Sequence, residues 1–313
     1  MDIVKQNMLM TAELIKIMKL LEENGIEAIS FKGPLLSQMA YGDITLRQYV
    51  DLDILIPEES LYHAAKLLSS NDYTSHSPIS LLQNKRFRIL DNDFSFFTPK
   101  NQVHIELHWR LFRKKIGKHK SFQEYYSNKL NIDINHNALP TLALETLLVY
   151  LCIHASKHAW ERIEWINDVH LLVETQASKI NWMNVLSIAK EMDSKIALFS
   201  GLNISKTFYK TTLPSSITEL IYTDSLNQLT QDALYFIANP LSNQESYNHY
   251  RKIMLFQTKL LDSKWKQVKY IFNSYFSITR NDYLAFPLPA YLSVLYYFIK
   301  PFRVLYKVII KGK

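Results

Sequence analysis

The chain is poor in the residues that mark several common chemistries. It has one cysteine, Cys152, in 313 residues. That excludes an intramolecular disulfide and a Cys-rich zinc site, and it suits a reducing, cytoplasmic setting. Glycine is scarce: the six glycines (25, 33, 42, 117, 201 and 312) form neither G-x-G-x-x-G nor G-x-x-x-x-G-K-[ST]. A standard dinucleotide fingerprint and a P-loop are therefore absent. Long apolar runs are missing too. The stretch Phe286–Ile299 contains two prolines and Ser293, and it falls short of the ~20 residues needed to span a bilayer. Acids at Asp2, Glu13, Glu22 and Glu23 interrupt any signal-peptide pattern.

What is present is ordinary for a folded protein: 48% apolar and 21% charged residues, which excludes a disordered chain. At ~100–200 residues per domain, the length suggests two domains. The net charge of +7 is unevenly placed. Residues 251–313 hold twelve Lys/Arg against two acids (Asp262 and Asp282), while the remainder holds 24 against 27. The pattern predicts an anionic partner for the C-terminal fifth alone. The cations Lys300, Arg303, Lys307, Lys311 and Lys313 alternate with Phe302, Leu305 and Ile309. Two readings stand for 286–313: a peripheral contact with the inner membrane surface or a protein, or a terminal helix packed on its own domain.

Periodicity predicts a helix over 2–24 ended by Gly25, a short strand over 26–31, a turn at Lys32-Gly33-Pro34, and a helix to about Tyr41. Strands are expected at 49–56 and 103–109, with a helix over 58–69 between them. A hairpin of 87–90 with 94–98 would turn at Asp91-Asn92-Asp93. From Pro140 the pattern is helical: 141–156, 159–176, 181–195, 197–209, 215–238, 244–272 and 289–310. The expected fold is α+β with a small mixed sheet in 1–139, followed by an all-α domain in 140–313.

Asp51 and Asp53 lie two apart on the 49–56 strand, so they share one face, with Leu52, Ile54 and Ile56 turned to the core. Two like charges on one face call for cations, and Mg²⁺ binds through one or two carboxylates plus substrate phosphates. Relief of that repulsion predicts that an amide at either position costs no stability. In the 103–109 strand, His104, Glu106 and His108 share a face. The turn at Gly33 precedes a helix whose N-terminal N–H groups can meet phosphate. Taken alone, two acids on a strand also fit a plain solvated face.

Three motifs narrow this. F-K-G-P-L-L at 31–36, R-x3-D-L-D-I-L-I at 47–56 and H-I-E-L-H-W-R-L at 104–111 together resemble the uncharacterised nucleotidyltransferase family of the polymerase-β superfamily. K-H-A-W-E-R-I-E-W-I-N-D at 157–168 and the segment 287–305 are similar to later parts of that family. The resemblance implies a nucleotidyltransferase-like domain, two Mg²⁺ ions and transfer of a nucleoside monophosphate from a nucleoside triphosphate. It makes Asp51, Asp53 and Glu106 the metal-binding and catalytic carboxylates, Glu106 the group that helps deprotonate the acceptor, and Gly33 part of the phosphate-facing turn. The chain departs from the wider superfamily in having Gly33-Pro34 where Gly-Ser or Gly-Gly is usual, and a longer gap before Asp51. Lys32 and Arg47 are the cations placed to compensate as nucleotide-binding groups.

The pair His154/His158 has zinc-like i, i+4 spacing but lacks the Glu of H-E-x-x-H. A polar line through His154, Lys157, His158, Glu161 and Asp168 reads either as a cleft wall, with Lys157 or His158 meeting triphosphate or acceptor, or as a polar seam between helices. Arg110, Arg113, Lys114, Lys115, Lys118 and Lys120 read as a solvated loop, so nucleic acid is not the expected partner. Cys152 is expected to be buried. The acceptor is left open among small molecules, peptides and proteins. The rival to an enzyme is a non-catalytic nucleotide-binding or partner-docking module on the same fold.

Overall fold

The structure is a computed structural model that describes residues 3–99, 103–113, 118–239, 247–276, 278–285, 288, 292 and 294–300. Of the expected 286–313 segment, 286, 287, 289–291, 293 and 301–313 lie outside the described residues.

The chain begins with α1 (Ile3–Glu23), which buries Leu14, Ile17 and Leu21. After β1 (Ile29–Ser30) comes α2 (Gly33–Tyr41), which starts at Gly33-Pro34 and ends on left-handed Gly42. Next are β2 (Asp51–Leu55), α3 (Leu61–Ser70), α4 (Lys85–Leu90), β3 (Asp93–Phe97) and β4 (His104–His108). The four strands form one mixed sheet in the order β1-β2-β4-β3, with β2 and β4 parallel and the other pairs antiparallel. A parallel pair needs a crossover, and here α3 and α4 lie within it.

The expected strand at 87–90 is instead helical. The Asn84 side chain accepts from the N–H groups of Arg86 and Phe87 and caps α4. β3 therefore pairs with β4, not with 87–90. A second departure is the hairpin of β5 (Leu130–Ile134) and β6 (Asn137–Thr141). Its two-residue turn, Asn135-His136, has positive φ at both positions, the conformation of a type I′ turn. The hairpin spans position 139/140.

Helices follow: α5 (Phe122–Ser127) precedes the hairpin, and after it come α6 (Leu144–Lys157), α7 (Ile163–Thr175), α8 (Trp182–Glu191), α9 (Lys195–Tyr209), α10 (Ser215–Ile221), α11 (Asp224–Ala238), α12 (Tyr247–Lys259), α13 (Lys264–Phe276) and α14 (Arg280–Ala285). The helix expected over 159–176 starts later because Ala159 and Trp160 both take left-handed φ. Trp160 is fully buried and its indole N–H donates to Ser156 Oγ at 3.2 Å.

The small mixed sheet and the helical remainder match the expected fold class. One apolar cluster joins α1 and α3 to Leu52, Ile54, Ile105 and Leu107 of the sheet. A second surrounds α6, holds Cys152 as expected, and takes in Phe31, Leu36 and Leu55 from the N-terminal part. Alternation in β2 thus sends Leu52 and Ile54 to one layer, and Asp51, Asp53 and Leu55 to the face beneath the helices.

Candidate active site

The parallel register of β2 and β4 sets Asp51 opposite His104 and Asp53 opposite Glu106. The acids and histidines of both strands therefore share the face turned toward α6. Ligand atoms of Asp51, His104 and Glu106 lie within 4.8 Å of one another, and so do those of Asp53, Glu106 and His108. The three carboxylates converge through Glu106.

Asp53 is 1% exposed. Its Oδ1 lies 3.0 Å from Lys32 Nζ and 3.1 Å from His108 Nε2. The same His108 nitrogen is 3.3 Å from Glu106 Oε2, while His108 Nδ1 faces the Asn92 side-chain amide at 3.2 Å. Asp53 Oδ2 is buried and has no hydrogen-bond partner among the described residues. A buried, unsatisfied carboxylate oxygen on Asp53, which is grouped with the Glu106 carboxylate, fits a Mg²⁺-type cation.

Burial acts on every group here, but with different outcomes. It opposes the charge on Asp53, yet Lys32 and the hydrogen bond from His108 outweigh it and hold the carboxyl well below its usual range. It likewise opposes the charge on His108, whose hydrogen bonds to Asp53 and Glu106 push it up to about 10. Burial also opposes the Lys32 charge, and Asp53, then Tyr150 and Asp51, keep that ammonium more basic than usual. Glu106 is held below the ordinary range because the His108 hydrogen bond overcomes burial. Asp51 behaves differently: burial, then the charge of Asp53, push it up.

A cleft of about 340 Å³ opens above these groups. Lys32, Asp51, Asp93 and Glu106 line its strand wall, while His154, Lys157, His158 and Trp165 line its helical wall. The His154 and His158 ring centroids lie 5.4 and 5.3 Å from that of Trp165. Burial, reinforced by Lys32, lowers His154, and burial with Lys157 takes His158 down to about 4. Burial, then Arg113, lowers Lys157.

Most of the expected residues come together, though not all in the expected manner. Arg47 borders the cleft, but its guanidinium is committed to Asp168, with Nε–Oδ1 2.7 Å and Nη2–Oδ2 2.9 Å. Tyr41 donates to the same carboxylate at 2.8 Å. Gly33 does not line the cleft. It has a φ of +53°, and a Cβ there would stand 3.6 Å from the Asp51 carbonyl, so the turn packs closely against β2. Glu161 is likewise not among the lining residues, whereas His154, Lys157, His158 and Asp168 are. Of the basic run after Glu106, Lys114 and Lys115 lie outside the described residues, and the two arginines are paired rather than free in solvent. Arg110 Nη2 lies 2.9 Å from Glu58 Oε2, and Arg113 Nη2 lies 2.9 Å from Asp91 Oδ1.

Sequence reasoning assigns no role to His108, although the alternation H-x-E-x-H already places it beside Glu106. Asn92 and Asp93 read only as turn residues. Their place beside β4 follows from the β3–β4 pairing, for which local pattern holds no signal.

A family model described as uncharacterised nucleotidyltransferase matches residues 1–210. The chain belongs to that family. Two solved structures are similar at low identity. A crystal structure of ANT(2'')-Ia in complex with adenylyl-2''-tobramycin shares 10% identity over 57% of this chain and 94% of that chain, with a TM-score of 0.41. A solution structure of the antibiotic-resistance factor ANT(2'')-Ia shares 12% identity over 61% and 91%, also with a TM-score of 0.41. No curated protein matches.

Proposed function

We propose that the cleft transfers a nucleoside monophosphate from a nucleoside triphosphate to a hydroxyl of a small-molecule, peptide or protein acceptor, with Mg²⁺ held by Asp51, Asp53 and Glu106. The observation that carries this reading is the β2/β4 register. It sets Asp53 opposite Glu106, and Asp51 and Glu106 line the floor of a cleft whose opposite wall brings Lys157. In this reading the N-terminal unit 1–139 supplies the floor and the helical unit 140–313 the roof, in a cytoplasmic protein.

Bound there, Mg²⁺ would polarise the phosphoryl group and favour ionisation of the attacking hydroxyl. The chain's own residues do the rest. Lys32 and His108 hold Asp53 ionised and fixed in orientation. Glu106, kept ionised by His108, is placed to accept the acceptor's proton. Lys157 and Lys32 offer positive charge to phosphate oxygens, which stabilises charge that develops in transfer. His158 and Trp165 present ring faces on which a planar base or acceptor can lie.

The test is a screen of the four α-labelled nucleoside triphosphates with Mg²⁺ and cell extract, run beside Asp51→Asn. The expected result is a labelled product whose formation falls at least about 100-fold in the variant. Nucleotide binding with no transfer of any label would favour the non-catalytic binding module. Equal labelling by Asp51→Asn would sink the carboxylate assignment.

A further inference from the structure

Helix α13 is amphipathic in the wrong sense for a helix on a protein surface. Its less exposed side is largely polar, with Ile271 and Phe276 half-buried among Lys266, Gln267, Tyr270, Asn273 and Ser274. Lys266 Nζ lies 2.9 Å from both Asp193 Oδ1 and Asp262 Oδ1. Gln267 Nε2 donates to the Leu261 carbonyl at 3.1 Å, and the Tyr270 hydroxyl bonds to Gln257. The outward side carries Trp265, Val268 and Phe272, exposed by 75%, 58% and 57%. No residue of the helix is fully buried. Trp265, Val268 and Phe272 therefore do not serve the core, and their spacing of three and four gathers them in one stripe.

Lys264 and Lys269 are exposed beside that stripe, and α13 holds three lysines and no acid. Next to it, the helical turn 295–300 is tethered by Lys300 Nζ, which donates to the Ser274 carbonyl at 3.3 Å. That turn exposes Tyr297 and Phe298.

We propose that the outward face of α13 docks the protein on an anionic lipid surface. The chemistry of the face selects this occupant. A helix lying in the membrane interface combines an aromatic and aliphatic stripe with flanking cations, and tryptophan favours the headgroup level. The helix is ~20 Å long at 1.5 Å per residue, enough to lie along the interface and too short to cross it. No described helix is long and apolar enough to span a membrane. Charge argues against self-association. A second copy would bring the same lysines, and 301–313 carries Arg303, Lys307, Lys311 and Lys313 without an acid. Nucleic acid would answer the charge but gives Val268 no apolar partner.

Co-sedimentation of the full chain with phosphatidylglycerol–phosphatidylcholine vesicles, and with phosphatidylcholine alone, tests the proposal. The expected result is binding to the anionic vesicles only, weakened by salt. Binding should be lowered at least about tenfold by the triple change Trp265→Ser, Val268→Ser and Phe272→Ser, and likewise by Lys264→Glu with Lys269→Glu. Circular dichroism checks that each variant is folded, and if the triple variant is not, the charge variant decides. Unchanged binding by a folded variant overturns the proposal, and so does absence of binding by the parent chain. A parent chain that ignores vesicles but shifts single-stranded RNA, or that dimerises through this face by sedimentation, overturns it in favour of those occupants.

Discussion

The two walls of the cleft meet burial in opposite ways. On the strand wall, Asp53 and His108 are deeply buried and Lys32 is largely covered, yet all keep their charges, because each stands within 3.1 Å of a group of opposite sign. On the helical wall, His154 and His158 are half-buried among rings and near like charge, and both are held neutral. The same desolvation thus yields a fixed ionic cluster on one side and uncharged bases on the other. Under the proposed function, the permanent charge would face a phosphate and its cation, and the neutral rings an uncharged moiety.

The largest effect that breaks this contrast is expected at Asp53. Asp53→Asn leaves Lys32 and His108 facing an amide in a buried site, and removal of one partner from such a pair costs about 3–5 kcal/mol. Asp51→Asn should cost nothing measurable, since burial and Asp53 already disfavour the Asp51 charge. Like-charge repulsion alone would make both amide variants harmless. The cations on Asp53 separate them. Urea midpoints of the two variants without Mg²⁺ check this, and equal midpoints would show that the ionic cluster does not stabilise the fold.

A smaller effect is expected where the walls are joined. Arg47 follows α2, and Asp168 lies on α7. Their paired hydrogen bonds, with Tyr41 on the same carboxylate, tie the N-terminal elements to the helical layer. Asp168→Asn keeps an oxygen acceptor but removes the charge, for an expected loss of about 2 kcal/mol. A double-mutant cycle with Arg47→Met reads the coupling directly, and a coupling near zero would reduce the contact to ordinary packing.

The walls also differ in how far the amino-acid sequence reveals them. Period two places Asp51 with Asp53, and Glu106 with both histidines, because strand alternation is a local property. The order of the motifs then points to the family. The helical wall is legible only as two alternatives, a cleft or a seam, since i, i+4 spacing does not say what a helix face meets. The Lys32–Asp53 and Arg47–Asp168 pairs join residues 21 and 121 positions apart, and only tertiary packing creates them. The helix at 85–90 escapes the pattern because Phe87, Ile89 and Leu90 suit a strand as well, and the Asn84 cap decides otherwise. The β5–β6 turn escapes it for a similar reason: Asn135-His136 lacks the glycine that usually advertises such a turn.

The helical wall yields the smallest effect, and it depends on pH. His158 is lowered to about 4 in the folded chain from an ordinary 6.5, and His154 moves the same way. The unfolded chain therefore takes up these protons first as pH falls. Stability from His158 is complete well above pH 6.5 and is lost progressively toward pH 4, by about 2 kcal/mol at pH 5 before solvent screening reduces it. Burial is the main cause of the His158 shift, and the Lys157 charge is the second. Lys157→Met keeps the length of the side chain and removes that charge. The His158 imidazole should then titrate closer to its ordinary range, and the midpoint lost between pH 7.5 and pH 5 should shrink. Proton NMR of His158 and urea melts at the two pH values measure both. If His158 titrates identically in the variant, burial and the weaker influence of the Lys32 charge keep it neutral, and Lys157 has no part in the contrast between the walls.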